Sequence, residues 1–299
     1  MDLESLAIFV RVAERHSFTQ AAEQLGVQKA RVSTAIQSLE ALLGARLLHR
    51  TTRAVRMTPD GELFYARCKE LLADADDLRT LFQQAPSALS GRLRIDLPTG
   101  VARQFVVPRL GEFLAAHPKV EIELSSTDRQ VDLVNEGFDC VLRVGTLRDS
   151  GLIARRLGAF RMSNCASPAY LAAHGTPMSL EDLDRHHVVQ YAPTLGGKPM
   201  GWEYPEGKGW DVRAMRGPVT VNDTQAYQAA CVAGLGMIQA PTAGVKPQIE
   251  QGLLVEVLPQ WPAEPMPVSL LYTDRRHVSK RLQAMMDWLA QVMAPQLAL

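Results

Sequence analysis

A capping box followed by a glycine turn, set between amphipathic segments, constrains the N-terminal fold more tightly than any other feature of this chain. Leu3, Leu6, Phe9, Val10 and Ala13 recur at helical spacing, which predicts a helix that buries one stripe and stops near His16. Ser17 then stands three residues before Gln20, so hydroxyl and amide can satisfy the orphan N–H groups of a second helix start. That helix runs to about Leu25, and Gly26 supplies the turn. A third helix begins near Gln28 with Val32, Ile36, Leu39 and Leu43 on its buried stripe. Two short helices joined in this way form a helix-turn-helix.

The chain carries 32 Lys and Arg against 32 Asp and Glu, which excludes a polycationic coat for nucleic acid and a polyanionic tail. Charge is concentrated locally instead. Residues 28–57 hold six cations (Lys29, Arg31, Arg46, Arg50, Arg53 and Arg56) against one anion, Glu40, whereas residues 58–90 hold six anions against three cations. Charge alone fits a solvated basic face as well as a nucleic-acid surface, and the helix pattern favours the second. Opposite its buried stripe the third helix carries Ala30, Ser33, Thr34 and Gln37, with Lys29 and Arg31 at its N-terminal flank. Short or planar hydrogen-bonding side chains of this kind reach base edges in a major groove, while cations meet phosphates. Beyond Gly44, segments 46–48 and 55–57 read as the strands of a wing whose tip presents Arg50 and Arg53.

The strings Ser17-Phe18-Thr19-Gln20-Ala21-Ala22, Leu25-Gly26-Val27, Leu39-Glu40, Leu43-Gly44, Arg46-Leu47-Leu48, His49-Arg50-Thr51-Thr52-Arg53 and Thr58-Pro59-Asp60-Gly61 closely resemble the LysR-type transcriptional regulators. The resemblance implies that Ser33 and its helix neighbours contact DNA and that Arg50 and Arg53 make wing contacts. The candidate DNA-contacting set is Ser17, Thr19, Gln28, Lys29, Arg31, Ser33, Thr34, Gln37, Arg50 and Arg53. Gln28-Lys29-Ala30-Arg31 and Thr34 depart from residues common in the family, so base preference does not transfer from a relative.

Thr58 can cap, and Pro59 fits the first position of, a long helix. Along it Phe64, Cys68, Leu71, Ala75, Leu78 and Phe82 alternate at spacings of four and three, the pattern of a coiled-coil seam. The seam fits a second copy of the chain or packing within its own domain. A self-partner would place two recognition helices on one duplex and so require an inverted-repeat operator. Residues 85–91 end the helix as a hinge.

The remainder predicts an α/β domain. A strand over 92–97, a helical stretch to His117 and a strand at Val120, Ile122 and Leu124 form a βαβ unit, so parallel strands are expected. In open α/β sheets ligands bind beyond the carboxyl ends of strands, beside helix starts. That selects Thr99 and Gly100, then Ser125, Ser126 and Thr127, and as a third strand end Asn222-Asp223-Thr224, where plain N-capping is an equally good reading. Asp132-Leu133-Val134, Glu136-Gly137-Phe138-Asp139, Ala154-Arg155-Arg156-Leu157-Gly158 and Ala233-Gly234-Leu235-Gly236 also resemble the co-inducer domain of LysR-type regulators. The resemblance implies a winged helix-turn-helix over 1–59, a dimerising linker helix and hinge over 60–90, and a two-lobed, periplasmic-binding-protein-like effector domain over 91–299. Its lobes would be 91–163 with 267–299, and 164–266. It also implies a cleft faced by Thr99, Gly100, Thr127, Asn222 and Asp223, assembly as a homodimer or homotetramer on double-stranded DNA, and RNA polymerase as a partner. Helix starts at the cleft suggest an organic anion as the small-molecule effector.

Other function classes lack support. Cys68, Cys140, Cys165 and Cys231 stand far apart without a CxxC pair, fitting reduced thiols, a cytoplasmic setting and core packing. A thiol switch needs a cation-activated cysteine near a resolving partner, and Cys140 and Cys165 fall in strand-like apolar surroundings. Asp2, Glu4 and Arg11 interrupt any export signal, and the uncharged stretch 224–245 is broken by glutamines, glycines and a proline, so no membrane association is expected. The histidines His174, His186 and His187 read as part of a surface loop with Asp182, Asp184 and Arg185. No catalytic set, metal site or cofactor is expected.

Overall fold

In the computed structural model Asp2 opens α1 (Leu3–Arg15), its carboxylate accepting from the Ser5 N–H at 2.7 Å. The structure describes residues 1–50, 55–80, 89–133, 136–147, 151–197, 200–273 and 278–298. They fall into two units, one comprising Met1–Arg92 with Lys119–Glu121 and Ser279–Arg281, the other comprising the rest. In the first unit, Ser17 caps α2 (Phe18–Leu25) through the Gln20 N–H, and Gly26 ends it at φ +66°, a left-handed geometry that glycine adopts without a Cβ clash. α3 (Lys29–Leu43) turns Val32, Ile36 and Leu39 into a core shared with Leu6, Phe9 and Val12 of α1. Leu43 lies outside that core and is exposed, because α3 ends there at Gly44. β1 (Leu48–Arg50) and β2 (Val55–Met57) pair antiparallel as the wing, with His49 opposite Arg56.

Thr58 starts α4 (Pro59–Thr80), its hydroxyl accepting from the Gly61 N–H and donating to the Arg46 carbonyl at 2.6 Å. The expected seam on this helix requires correction. Cys68 is fully buried in the core of its own unit and so has no surface left for a partner chain, and half-buried Phe64 packs against Phe9 with ring centroids 5.2 Å apart. Leu71 is half exposed and Leu63, eight residues earlier, is 68% exposed, so the apolar face left uncovered is rotated away from Cys68. Ala75 is half-buried. The Leu78 side chain, Phe82 and hinge residues 85–88 lie outside the described residues.

The second unit contains two principal sheets. β3 (Ser90–Leu97) leads into α5 (Thr99–Val101), and the helical run continues through a π turn and a 3-10 turn to α6 (Leu110–Ala116). β4 (Lys119–Ser126), β5 (Cys140–Val144) and β6 (Ile153–Phe160) follow. The chain then forms β7 (Met162–Ala166), α7 (Pro168–His174), β8 (Gln190–Tyr191) and a hairpin of β9 (Trp202–Glu206) with β10 (Gly209–Arg213). β11 (Thr220–Val221), α8 (Thr224–Val232), β12 (Ile238–Pro241), α9 (Thr242–Glu250) and β13 (Val255–Glu256) complete this half. β14 (Met266–Tyr272) and α10 (Lys280–Met293) return to the first sheet, whose order is β4-β3-β5-β14-β6, while the second is β12-β7-β13. β3 and β5 are parallel, but β14 runs antiparallel to β5 and β6. The expectation of parallel strands therefore holds for only part of the sheet, because β14 enters from the second half without a crossover helix.

All four cysteines are buried. Burial raises the Cys68 thiol to about 11 and those of Cys165 and Cys231 to about 12, leaving all three protonated at neutral pH. No helix of the described residues is long and apolar enough to cross a membrane.

Candidate nucleic-acid interface and effector cleft

Burial of Val32, Ile36 and Leu39 fixes the rotation of α3, and the residues between them face outward. Gln28, Lys29, Thr34 and Gln37 are exposed and Ser33 is half-buried, which gathers them on one polar face. Four members of the expected DNA-contacting set, Arg31, Ser17, Thr19 and Thr34, have partners within the chain or lie on another helix. Arg31 pairs with Glu4 of α1 at 2.7 Å, so its guanidinium lies on the flank towards that helix. The Ser17 hydroxyl caps α2, and exposed Thr19 stands two residues later within the first turn of that helix. The Thr34 hydroxyl donates to the Ala30 carbonyl at 3.0 Å, leaving its oxygen to accept. Arg50 ends β1, though its side chain is outside the described residues, as is Arg53 entirely.

Glu40 proves structural. Its Oε1 accepts from the N–H groups of Leu47 and Leu48 at 2.9 and 3.1 Å, clamping the start of the wing to α3. In the sequence it counted only as the one anion of a basic tract, with nothing to mark it as a clamp.

In the second unit the expected cleft residues converge from three strand ends. The Thr99 N–H, at the start of the helical run after β3, donates to Oδ1 of Asp128 at 2.8 Å. The Thr224 N–H, at the start of α8, donates to Oδ2 of the same carboxylate at 2.7 Å. Gly100 lies against α8, where an added Cβ would be 3.4 Å from Thr224 Oγ1. Thr127 faces a buried ion pair: its hydroxyl donates to Asp96 at 3.2 Å, and Arg143 Nη1 meets Asp96 at 2.8 Å. Asp223 caps α8 through the Ala226 N–H, whereas Asn222 is exposed with no ligand-facing contact to distinguish it. Tyr191 and Tyr227 meet edge to face at 5.5 Å. Burial first, then the carboxylates of Asp128 and Asp223, raise the Tyr191 phenol above its ordinary range, keeping it a neutral donor. Asp128, Tyr191 and Tyr227 were missed in the sequence, because only the tertiary fold brings them to the helix starts.

The organic-anion expectation assumed free N–H groups at those helix starts, and two of them are already bonded to Asp128. The histidine reading is also corrected. His186 is buried with Nδ1 3.2 Å from the Tyr170 hydroxyl, and its imidazole is lowered in pKa, chiefly by burial and then by His174. No group of metal-ligating residues gathers among the described residues.

A helix-turn-helix with a wing, followed by a two-sheet α/β unit in which two helix starts converge on one carboxylate, has the architecture of a ligand-responsive DNA-binding regulator. The model of the bacterial regulatory helix-turn-helix protein of the lysR family matches residues 3–62, and that of the LysR substrate binding domain matches residues 86–294. The chain belongs to the LysR family of transcriptional regulators. It is 46% identical over 291 residues to the uncharacterized helix-turn-helix-type transcriptional regulator YhjC of Escherichia coli (strain K12), covering 97% of both chains. Among solved structures it resembles CrgA, a LysR-type transcriptional regulator from Neisseria meningitidis, with 29% identity and a TM-score of 0.62 over 97% of this chain and 98% of that one. It also resembles the full-length Vibrio cholerae virulence activator AphB, with 30% identity and a TM-score of 0.59 over 97% and 99% of the two chains.

Proposed function

We propose that this LysR-type regulator acts in the cytoplasm, binding partly palindromic operators as a dimer or tetramer and responding to a small molecule in the cleft between its two sheets. The observation that carries the DNA-binding part is the exposed face of α3, where Gln28, Lys29, Ser33, Thr34 and Gln37 lie together above a buried stripe. Residues 1–59 form the DNA-reading part, 60–90 the pairing helix and hinge, and 91–299 the effector domain, with 91–163 plus 267–299 as one lobe and 164–266 as the other. Ser33 and Gln37 read bases while Lys29 and the wing cations Arg50 and Arg53 engage phosphates. Effector binding shifts the arrangement of the paired DNA-binding units and thereby their contact with RNA polymerase.

The test is binding of the purified protein to DNA upstream of its own gene, by mobility shift and footprint against competitor DNA. A protected, partly palindromic footprint is expected, and no preference over competitor would count against operator function. Lys29→Ala is expected to weaken binding to all sequences alike and to reduce the salt slope by about one. Ser33→Ala is expected to cost about 1 kcal/mol and relax discrimination at one base position. Equal binding by wild type and both variants would refute this face.

Pairing through α4 uses the uncovered Leu63 and Leu71 rather than Cys68. Leu71→Asp is expected to shift the mass measured by light scattering towards the monomer, since a desolvated carboxylate has no partner in an apolar seam. An unchanged mass would move the pairing surface elsewhere.

A further inference from the structure

We infer that Asp128 determines which effectors the cleft accepts: its carboxylate is an internal anion that ties the two helix starts together and excludes an acidic ligand, leaving the cleft to an uncharged or cationic molecule. This deepens the proposed effector role and rests on it. Both oxygens are engaged, one by the Thr99 N–H after β3 of the first sheet and the other by the Thr224 N–H after β11. A single carboxylate thus supplies the negative charge that two converging helix starts favour. Because it is tethered, it competes at an effective concentration on the order of millimolar or higher against any free anion.

The surroundings oppose a second negative charge. Asp223 lies at the same helix start, capping Ala226, and Tyr191 feels both carboxylates. The cations near these strand ends already have partners: Arg143 holds Asp96, Arg129 holds Glu136, and Arg103 donates to Gln225 Oε1. The closed faces instead leave neutral groups unused. Thr224 Oγ1 and Gln225 Nε2 are enclosed beside Gly100 without a hydrogen-bond partner. An uncharged ligand with a carbonyl or hydroxyl can satisfy them when it parts the two faces, and a cationic one can do so beside Asp128 and Asp223.

The test is amide hydrogen exchange of the full chain, read in the peptides that contain Thr99 and Thr224, with acetate and its neutral isostere acetamide as probes. Asp128→Ala is expected to speed exchange at both helix starts together by roughly tenfold. Acetate is expected to restore protection in that variant, acetamide is not, and wild type is expected to ignore acetate at matched ionic strength. Asp128→Asn, which preserves shape without charge, is expected to show the same acceleration, and it serves if the alanine variant folds poorly. Unchanged exchange in these variants would overturn the tie between helix starts. Slower exchange of wild type in acetate, or acceleration that acetate leaves unrepaired, would overturn the exclusion of anions. The mobility shift separates this inference from the regulator reading. An Asp128 variant with wild-type exchange and intact operator binding refutes the inference alone, whereas a wild type without operator binding refutes operator function alone.

Discussion

Replacing Gly61 by alanine is expected to destabilise the DNA-binding unit by about 3 kcal/mol and to abolish operator binding at temperatures where wild type is stable. A Cβ at this position would lie 2.0 Å from the Leu47 carbonyl oxygen and 3.0 Å from its carbon, so backbone must move. Leu47 has little freedom to yield. Its carbonyl accepts from the Thr58 N–H at 3.0 Å, and its own N–H is held by Glu40 at 2.9 Å. Relief therefore breaks either the cap of α4 or the clamp on the wing, each with an unsatisfied polar group as the result. Urea unfolding and mobility shift on the same variant check this. An alanine variant with wild-type stability would show that the start of α4 slides without cost.

The second large effect is expected at Asp96, which is fully buried on β3. Its partner Arg143 on β5 is only 14% exposed. Asp96→Ala leaves that guanidinium facing a cavity and the Thr127 hydroxyl without its acceptor, at a cost of about 3–5 kcal/mol. Replacing both members, as in Asp96→Leu with Arg143→Met, is expected to recover most of the loss, because an apolar pair carries no uncompensated charge. Urea unfolding of the full chain distinguishes the two. Equal stability of the single and double variants would mean that the ion pair itself, and not the orphaned arginine, carries the energy.

Legibility in the sequence followed the range of the interaction. The Ser17 cap, the Gly26 turn, the α3 stripe and the Thr58 start depend on neighbours within about one or two helical turns, and local pattern captured them. The α4 seam was half legible. A four-three spacing establishes that a stripe is buried, not what buries it, and Phe64 and Cys68 turn towards α1 while Leu63 and Leu71 remain uncovered. Thr99, Gly100 and Asp223 were legible as helix starts beyond strand ends. Asp128 was not, because its two bonds join positions 29 and 96 residues away, and nothing in the local string marks which carboxylate will reach them. Glu40 was hidden for a different reason: it entered only as the one anion set against six cations, while its work is on two backbone amides.

The place of β14 between β5 and β6 has a consequence for assembly during synthesis. The helix-turn-helix, wing and α4 are complete once the ribosome has passed residue 80, and helix-rich units with local contacts close quickly. The first α/β sheet has to wait. Until residues 266–272 emerge, β5 and β6 each present an unpaired edge to the gap that β14 will fill, and every intervening residue of the second sheet is made in the meantime. A nascent or truncated chain stopping before β14 would thus carry a finished DNA-binding head on an unfinished sensor with two exposed strand edges. Premature stop codons over most of the gene's length should yield chains that aggregate through those edges or are degraded, rather than a constitutive regulator freed from its effector.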